Sequence, residues 1–153
     1  MPRLDLKIPP PFLFLITMIG MAVVAQLTPR AAFDPNVRVP AAFILVACGL
    51  AIGALALLRF RAAQTTPDPI KIDAASTLVT DGIYARSRNP MYLGLTVMLA
   101  GWAVFLAAPY AAIGPAAFVL YLSQYQIIPE ERMLARKFGA AYQGYQARVR
   151  RWL

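Results

Sequence analysis

Residues 91–128 read "MYLGLTVMLAGWAVFLAAPYAAIGPAAFVLYLSQYQII" and contain no charged residue. A buried soluble helix keeps some polar face, and this stretch has none. It divides at "AAPYA" into two blocks, Met91–Ala108 and Tyr110–Ile128. Each has the length of a membrane span, which needs about 17–25 residues. So short a link forces the two helices into an antiparallel hairpin. Whatever precedes the first helix and follows the second therefore meets at one membrane face.

Two further blocks lie upstream, Pro11–Leu27 and Pro40–Leu58, again without charge. Arg3 and Lys7 followed by the first block have the outline of a signal peptide, but three more spans behind it favour an anchor. Gly49 and Gly53 form a GxxxG pair in the second block, a device for close helix packing. Of the 153 residues, 59% are hydrophobic and 14% charged, against roughly 25% charged in a soluble domain. The expected fold is all-α and integral to the membrane: about four transmembrane helices, including the hairpin, and a C-terminal amphipathic helix on the cytoplasmic side. Residues 1–58 form a pair of N-terminal spans, and residues 59–153 form the unit that carries the chemistry.

The net charge of +8 is placed unevenly. Of fifteen Lys and Arg, only Arg30 and Arg38 fall on the side opposite the N-terminus. Positive residues stay cytoplasmic, so a multi-pass protein of a bacterial inner membrane with both termini cytoplasmic is expected. The same rule, with attraction to anionic lipid headgroups, accounts for the basicity without nucleic acid. Cys48 is the single cysteine and there is no histidine. A metal site is not expected, and the commonest general base is missing.

The polar segments flanking the hairpin hold the candidate chemistry. Upstream is "RSRNPMY", Arg86–Tyr92, reached through a loop in which Pro67 and Pro69 exclude a regular helix and Asp81-Gly82 signals a turn. Pro90 suits the first helical position, with Asn89 as its N-cap. Arg88 and Asn89 at a helix start make an anion site, whereas Arg86 simply snorkels. Tyr84 and Tyr92 occupy interfacial positions favoured by aromatics. Downstream, Pro129 ends or kinks the fourth span, and Glu130 and Glu131 follow. Acids after a proline favour the helix dipole, which explains one glutamate better than two. Beside apolar surface the pair calls for cationic or hydroxyl-bearing partners. Leu134, Phe138, Tyr142, Tyr145 and Val149 then mark one helical stripe, with Arg132, Arg136, Lys137, Arg148 and Arg150 largely off it. The hairpin thus brings an anion-binding end and a cation-binding end together, a pocket for a zwitterion with an apolar or aromatic part.

"LVTDGIYARSRNPMYLG" and "EERMLARKFGAAYQGYQARVRRWL", separated by the hairpin, closely resemble the isoprenylcysteine carboxyl methyltransferase family, itself similar to phospholipid N-methyltransferases. The resemblance covers about residues 59–153. It implies an integral-membrane enzyme that binds S-adenosyl-L-methionine on its cytoplasmic side, among membrane lipids, and methylates a lipophilic acceptor. Leu78, Val79, Tyr84, Asn89, Pro90, Tyr92 and Glu130 match cofactor-contacting positions; Arg88 is added to them from the anion-site reading. Glu130, Glu131 and Arg88 are the candidate catalytic groups. Where the family often has histidine before the proline, this chain has Asn89. Where prenylcysteine enzymes hold the substrate carboxylate with an arginine four residues before the first glutamate, this chain has Gln126, which cannot form a charged bidentate clamp. The implied chemistry also accommodates the missing histidine. Displacement from a sulfonium releases a neutral group, so alignment and desolvation suffice. Isoprenylcysteine carboxyl O-methylation is the nearest named activity. Phospholipid N-methylation, in which Glu130 or Glu131 accepts a proton, and a non-catalytic four-helix scaffold are the alternatives.

Overall fold

The computed structural model describes residues 5–64 and 77–153; Arg3, Pro67 and Pro69 lie outside them. Four apolar stretches run as helices. α1 is Pro10–Leu27 and α2 is Pro35–Ala62. After a 3-10 turn at Gly82–Ala85 comes α3, Pro90–Leu106. A second 3-10 turn, Pro109–Ala112, leads into α4, Ile113–Leu122. A π-helical turn at Ser123–Ile127 continues it into α5, Ile128–Phe138, and α6, Ala140–Arg148, follows. α1, α2 and the continuous stretch Pro109–Phe138 are long and apolar enough to cross a membrane; α3 is apolar but shorter, 17 residues. The architecture is an all-α membrane fold.

α2 starts earlier than its apolar block, because Asp34 caps it: its carboxylate accepts from the Asn36 N–H at 2.9 Å, with Pro35 at the first helical position. Pro40 therefore lies inside the helix rather than at its start. α2 makes its broadest contact with α3. The approach is close enough that a Cβ on Gly49 would stand 2.6 Å from the Gly94 carbonyl oxygen, and a Cβ on Gly94 would stand 2.6 Å from that of Gly49. Gly53 has open space at its own Cβ position, so only the first glycine of the GxxxG pair needs to be one for its own sake. α1 closes the other side, where Met21 and Ala25 join Leu99, Phe118 and Leu122 in the central cluster. Outward, Phe12, Ile19 and Val23 of α1 and Phe43, Ile44 and Leu50 of α2 remain exposed. An apolar exterior of this kind matches acyl chains rather than water.

Three expectations change at the polar end of the hairpin. Asn89 occupies the N-cap position of α3, and its carbonyl accepts from the Leu93 N–H, but its side chain makes no cap bond. That amide is engaged elsewhere, as described below. Pro129 does not end the helix, which runs on through it from the π-helical turn. Its missing N–H would orphan the Tyr125 carbonyl, and the Leu6 N–H donates to that carbonyl at 3.0 Å instead. Finally, the C-terminal stripe is not one helix. Gly139, at φ +51°, breaks it into α5 and α6, a backbone state that glycine alone adopts without strain. The stripe residues still meet: Tyr142, Tyr145 and Val149 are buried together, with Leu134, Phe138 and Leu78 against them.

Candidate functional site

The hairpin does bring its two polar ends together. One turn into α3, the Tyr92 hydroxyl donates to Glu130 Oε1 at 2.6 Å. From the π-helical turn, the Gln126 amide donates to the same oxygen at 2.7 Å. Residues 126 and 130 are four apart, so they share one helix face. Both partners of Glu130 are neutral. Among the described residues, no ammonium or guanidinium lies at ion-pair distance from it.

Glu131 has the opposite surroundings. Arg88 Nη2 donates to its Oε1 at 2.7 Å, while Arg151 grips both oxygens, Nη2 to Oε2 at 2.7 Å and Nε to Oε1 at 3.1 Å. The Glu131 and Arg88 side chains are only 12% and 11% exposed, so this pairing is little screened by water. Arg88 Nη1 also donates to the Gln146 and Val149 carbonyls, at 3.2 and 2.8 Å. Its Nε is buried without a partner. Arg86, by contrast, is exposed.

The end of the chain seals this corner. The Arg88 N–H donates to the Arg150 carbonyl at 3.0 Å, and the Asn89 amide donates to the Arg151 carbonyl at 2.9 Å. Trp152 Nε1 donates to Ser123 Oγ in the π-helical turn at 3.3 Å. Arg151, Trp152 and Ser123 were not singled out by the sequence reading. The signal available was the demand of two carboxylates for cations, but nothing in the spacing indicates that the second cation comes from the last residues.

The remaining candidates lie in and beside two smaller apolar clusters. Val79 and Tyr84 are buried against Ala56, with Phe60 and Met91 beside them, and Leu78 packs on the Tyr142 and Tyr145 side. The Tyr145 hydroxyl donates to the Tyr84 carbonyl at 2.7 Å, which joins the two clusters. Burial, then the neighbouring Tyr145 and Glu130, pushes the Tyr84 phenol well above its usual range. Burial also raises Tyr142, and it pushes Tyr145 up to about 12 against an opposing pull from Arg88. The hydrogen bonds to Glu131 raise Arg151 further. Pro90 is buried in the first turn of α3. Two apolar depressions, of about 230 and 320 Å³, lie near Trp102 and near Pro109.

An all-helical membrane protein with a polar, charge-bearing corner at the mouth of a helical hairpin is the class that fold and site define. Residues 37–141 match the family model of the phospholipid methyltransferases, and the chain belongs to that family. It is therefore a member of a membrane methyltransferase family. Over 63 residues, 41% of this chain, it is 43% identical to the whole of a Haemophilus influenzae protein described as uncharacterized. Over 72 residues, 47% of this chain, it is 38% identical to protein-S-isoprenylcysteine O-methyltransferase B of Arabidopsis thaliana. That match spans 36% of the plant protein. The match to the family model leaves out α1 and the terminal residues from 142 onward, where Arg151 and Trp152 stand.

Proposed function

We propose that the protein is an S-adenosylmethionine-dependent methyltransferase acting on a lipophilic acceptor at the cytoplasmic membrane face. The observation that carries the reading is Glu130: a carboxylate at the hairpin mouth, held by two neutral donors and matched by no cation among the described residues. An uncompensated carboxylate near apolar surface is costly, and a cationic group of a ligand relieves that cost. The buried, unpartnered Nε of Arg88 offers the complementary donor for a ligand carboxylate. A zwitterion is what these two groups would hold together, and S-adenosylmethionine fits that donor set. When bound, it supplies a methyl on a sulfonium whose departing thioether is neutral.

The chain's own contributions then follow. Glu130 and Arg88 bind the charged ends, Tyr92 and Gln126 fix the Glu130 carboxylate, and Leu78, Val79, Tyr84 and Pro90 exclude water. Asn89 anchors the corner through the Arg151 carbonyl. The asymmetry of basic residues supports a cytoplasmic site. Isoprenylcysteine carboxyl O-methylation remains the nearest named activity. The Gln126–Glu130 bond favours the second reading, methylation of an amine-bearing lipid. The acceptor end then presents an amide and a carboxylate rather than a cation, and Glu130 is the acid able to take the amine's proton, since two guanidinium groups hold Glu131.

Membranes containing the protein, supplied with methyl-labelled S-adenosylmethionine and extracted for mass spectrometry, test this. Label is expected in a lipid-soluble product, with at least about tenfold less in Glu130→Gln, the loss appropriate to a hydrogen-bonded charge. Equal labelling by the two proteins, or none by the wild type, overturns the reading.

A further inference from the structure

Adjacent glutamates in one helical turn divide the local charge unequally. Two guanidinium groups converge on Glu131, through three hydrogen bonds, and among the described residues none reaches Glu130. Electrostatics alone favours sharing, with one cation on each carboxylate. Arg151 is the freer of the two, since its side chain is 37% exposed and, among the described residues, is tied only through Glu131. Arg88 is less free, because the Gln146 and Val149 carbonyls also hold its Nη1. The bidentate grip of Arg151 on Glu131 is the geometry in which an arginine binds a carboxylate most strongly.

We infer that Glu131 is a charge-reserving positioning residue: by detaining Arg151, and Arg88 with it, it leaves Glu130 uncompensated for the cationic part of the ligand. This rests on the proposed role of Glu130 and adds to it. The pair of acids has two jobs, one to bind and one to keep competing cations away. It also gives the residues after α6 a function. The Arg151 carbonyl held by Asn89 and the Trp152 indole held by Ser123 set where the Arg151 guanidinium stands.

Calorimetry of S-adenosylmethionine binding to the full chain in detergent, with thermal melting of each protein alongside, tests the inference. Glu131→Gln releases Arg151, and affinity is expected to fall by about tenfold or more, the scale of one compensated charge. Adding Arg151→Gln to Glu131→Gln removes the released cation, and affinity is expected to return to within about threefold of wild type. A purely structural role for Glu131 gives the opposite result, because the double variant lacks still more of the network. Affinity in the double variant equal to or below that of Glu131→Gln overturns the inference. Should Glu131→Gln not fold, Glu131→Asp serves instead. Its shorter carboxylate cannot keep both guanidinium groups, so a smaller loss is expected, again reversed by Arg151→Gln; no reversal overturns the inference. Failure of the wild type to bind overturns the proposed function and this inference with it, whereas wild-type binding without reversal overturns this inference alone.

Discussion

The side-chain amide of Asn89 donates to the backbone carbonyl of Arg151 at 2.9 Å, so the residue that opens the third apolar helix holds the end of the chain. The neighbouring Arg88 N–H donates to the Arg150 carbonyl, giving the corner two links to the tail. Asn89→Ala removes one of them and is expected to destabilise the protein by about 1 kcal/mol. Asn89→Asp should be worse, because it turns a donor into an acceptor facing a carbonyl. Thermal midpoints in detergent check both. Equal midpoints for Asn89→Ala and wild type would mean that the tail does not depend on this amide.

The α2–α3 contact makes a second prediction about stability. A methyl at Gly49 or Gly94 would meet the opposing carbonyl at 2.6 Å, inside any real contact distance. Gly49→Ala and Gly94→Ala are each expected to cost about 1–3 kcal/mol through forced separation of the helices. Gly53→Ala meets nothing within 4 Å and should be tolerated, with a gain of roughly 0.5–1 kcal/mol from reduced backbone freedom. Melting of the three variants side by side is sufficient. A loss at Gly53 as large as at Gly49 would contradict this packing.

Alkaline pH should weaken the loop-to-tail junction. Burial pushes Tyr145 up to about 12 from a usual value of 10.0, and Tyr84 and Tyr142 are raised as well. Between those values the folded protein holds a proton that the unfolded chain has released, so stability falls as pH rises. The contribution is complete below pH 10 and declines from about pH 10 to about pH 12, by about 1.4 kcal/mol per pH unit for a single group. Denaturation midpoints should be level from pH 7 to about pH 9.5 and then drop. Tyr145→Phe loses the bond to the Tyr84 carbonyl, about 1 kcal/mol at neutral pH, and should show a shallower alkaline decline. An unchanged slope in Tyr145→Phe would assign the titration to other groups.

The parts of this fold that could be read from sequence are those fixed by local composition. Absence of charge located the four apolar helices, and "AAPYA" located the hairpin. The family resemblance singled out Gln126, four residues before Glu130. What escaped depends on partners far along the chain. Whether Pro129 ends a helix turns on the fate of the Tyr125 carbonyl, and Leu6 decides it. The different surroundings of Glu130 and Glu131 follow from where Arg151 lies, which no periodicity encodes. Gly139 was visible as a glycine, yet the stripe ran unbroken through it, because α5 and α6 present their apolar residues to the same cluster despite the break.

The last prediction concerns the acceptor and rests on Gln126. Its amide donates to Glu130 at 2.7 Å, so the position that would face a substrate carboxylate carries no cation and adjoins an anion. Placing a second carboxylate there incurs both desolvation and repulsion. Weak or absent turnover is therefore expected on an N-acetyl farnesyl cysteine, measured as methyl ester formed from labelled S-adenosylmethionine. Gln126→Arg puts a guanidinium between the two carboxylates and should raise ester formation when the methyl donor is saturating. The same guanidinium lies one helical turn from Glu130, where it compensates the charge that the donor needs, so the KM for S-adenosylmethionine should rise in parallel. The two effects separate this account from a simple gain or loss of folding, which moves both in one direction. Robust wild-type turnover on the prenylcysteine, unimproved by Gln126→Arg, would show that another group receives the substrate carboxylate and that Gln126 does not set the choice of acceptor.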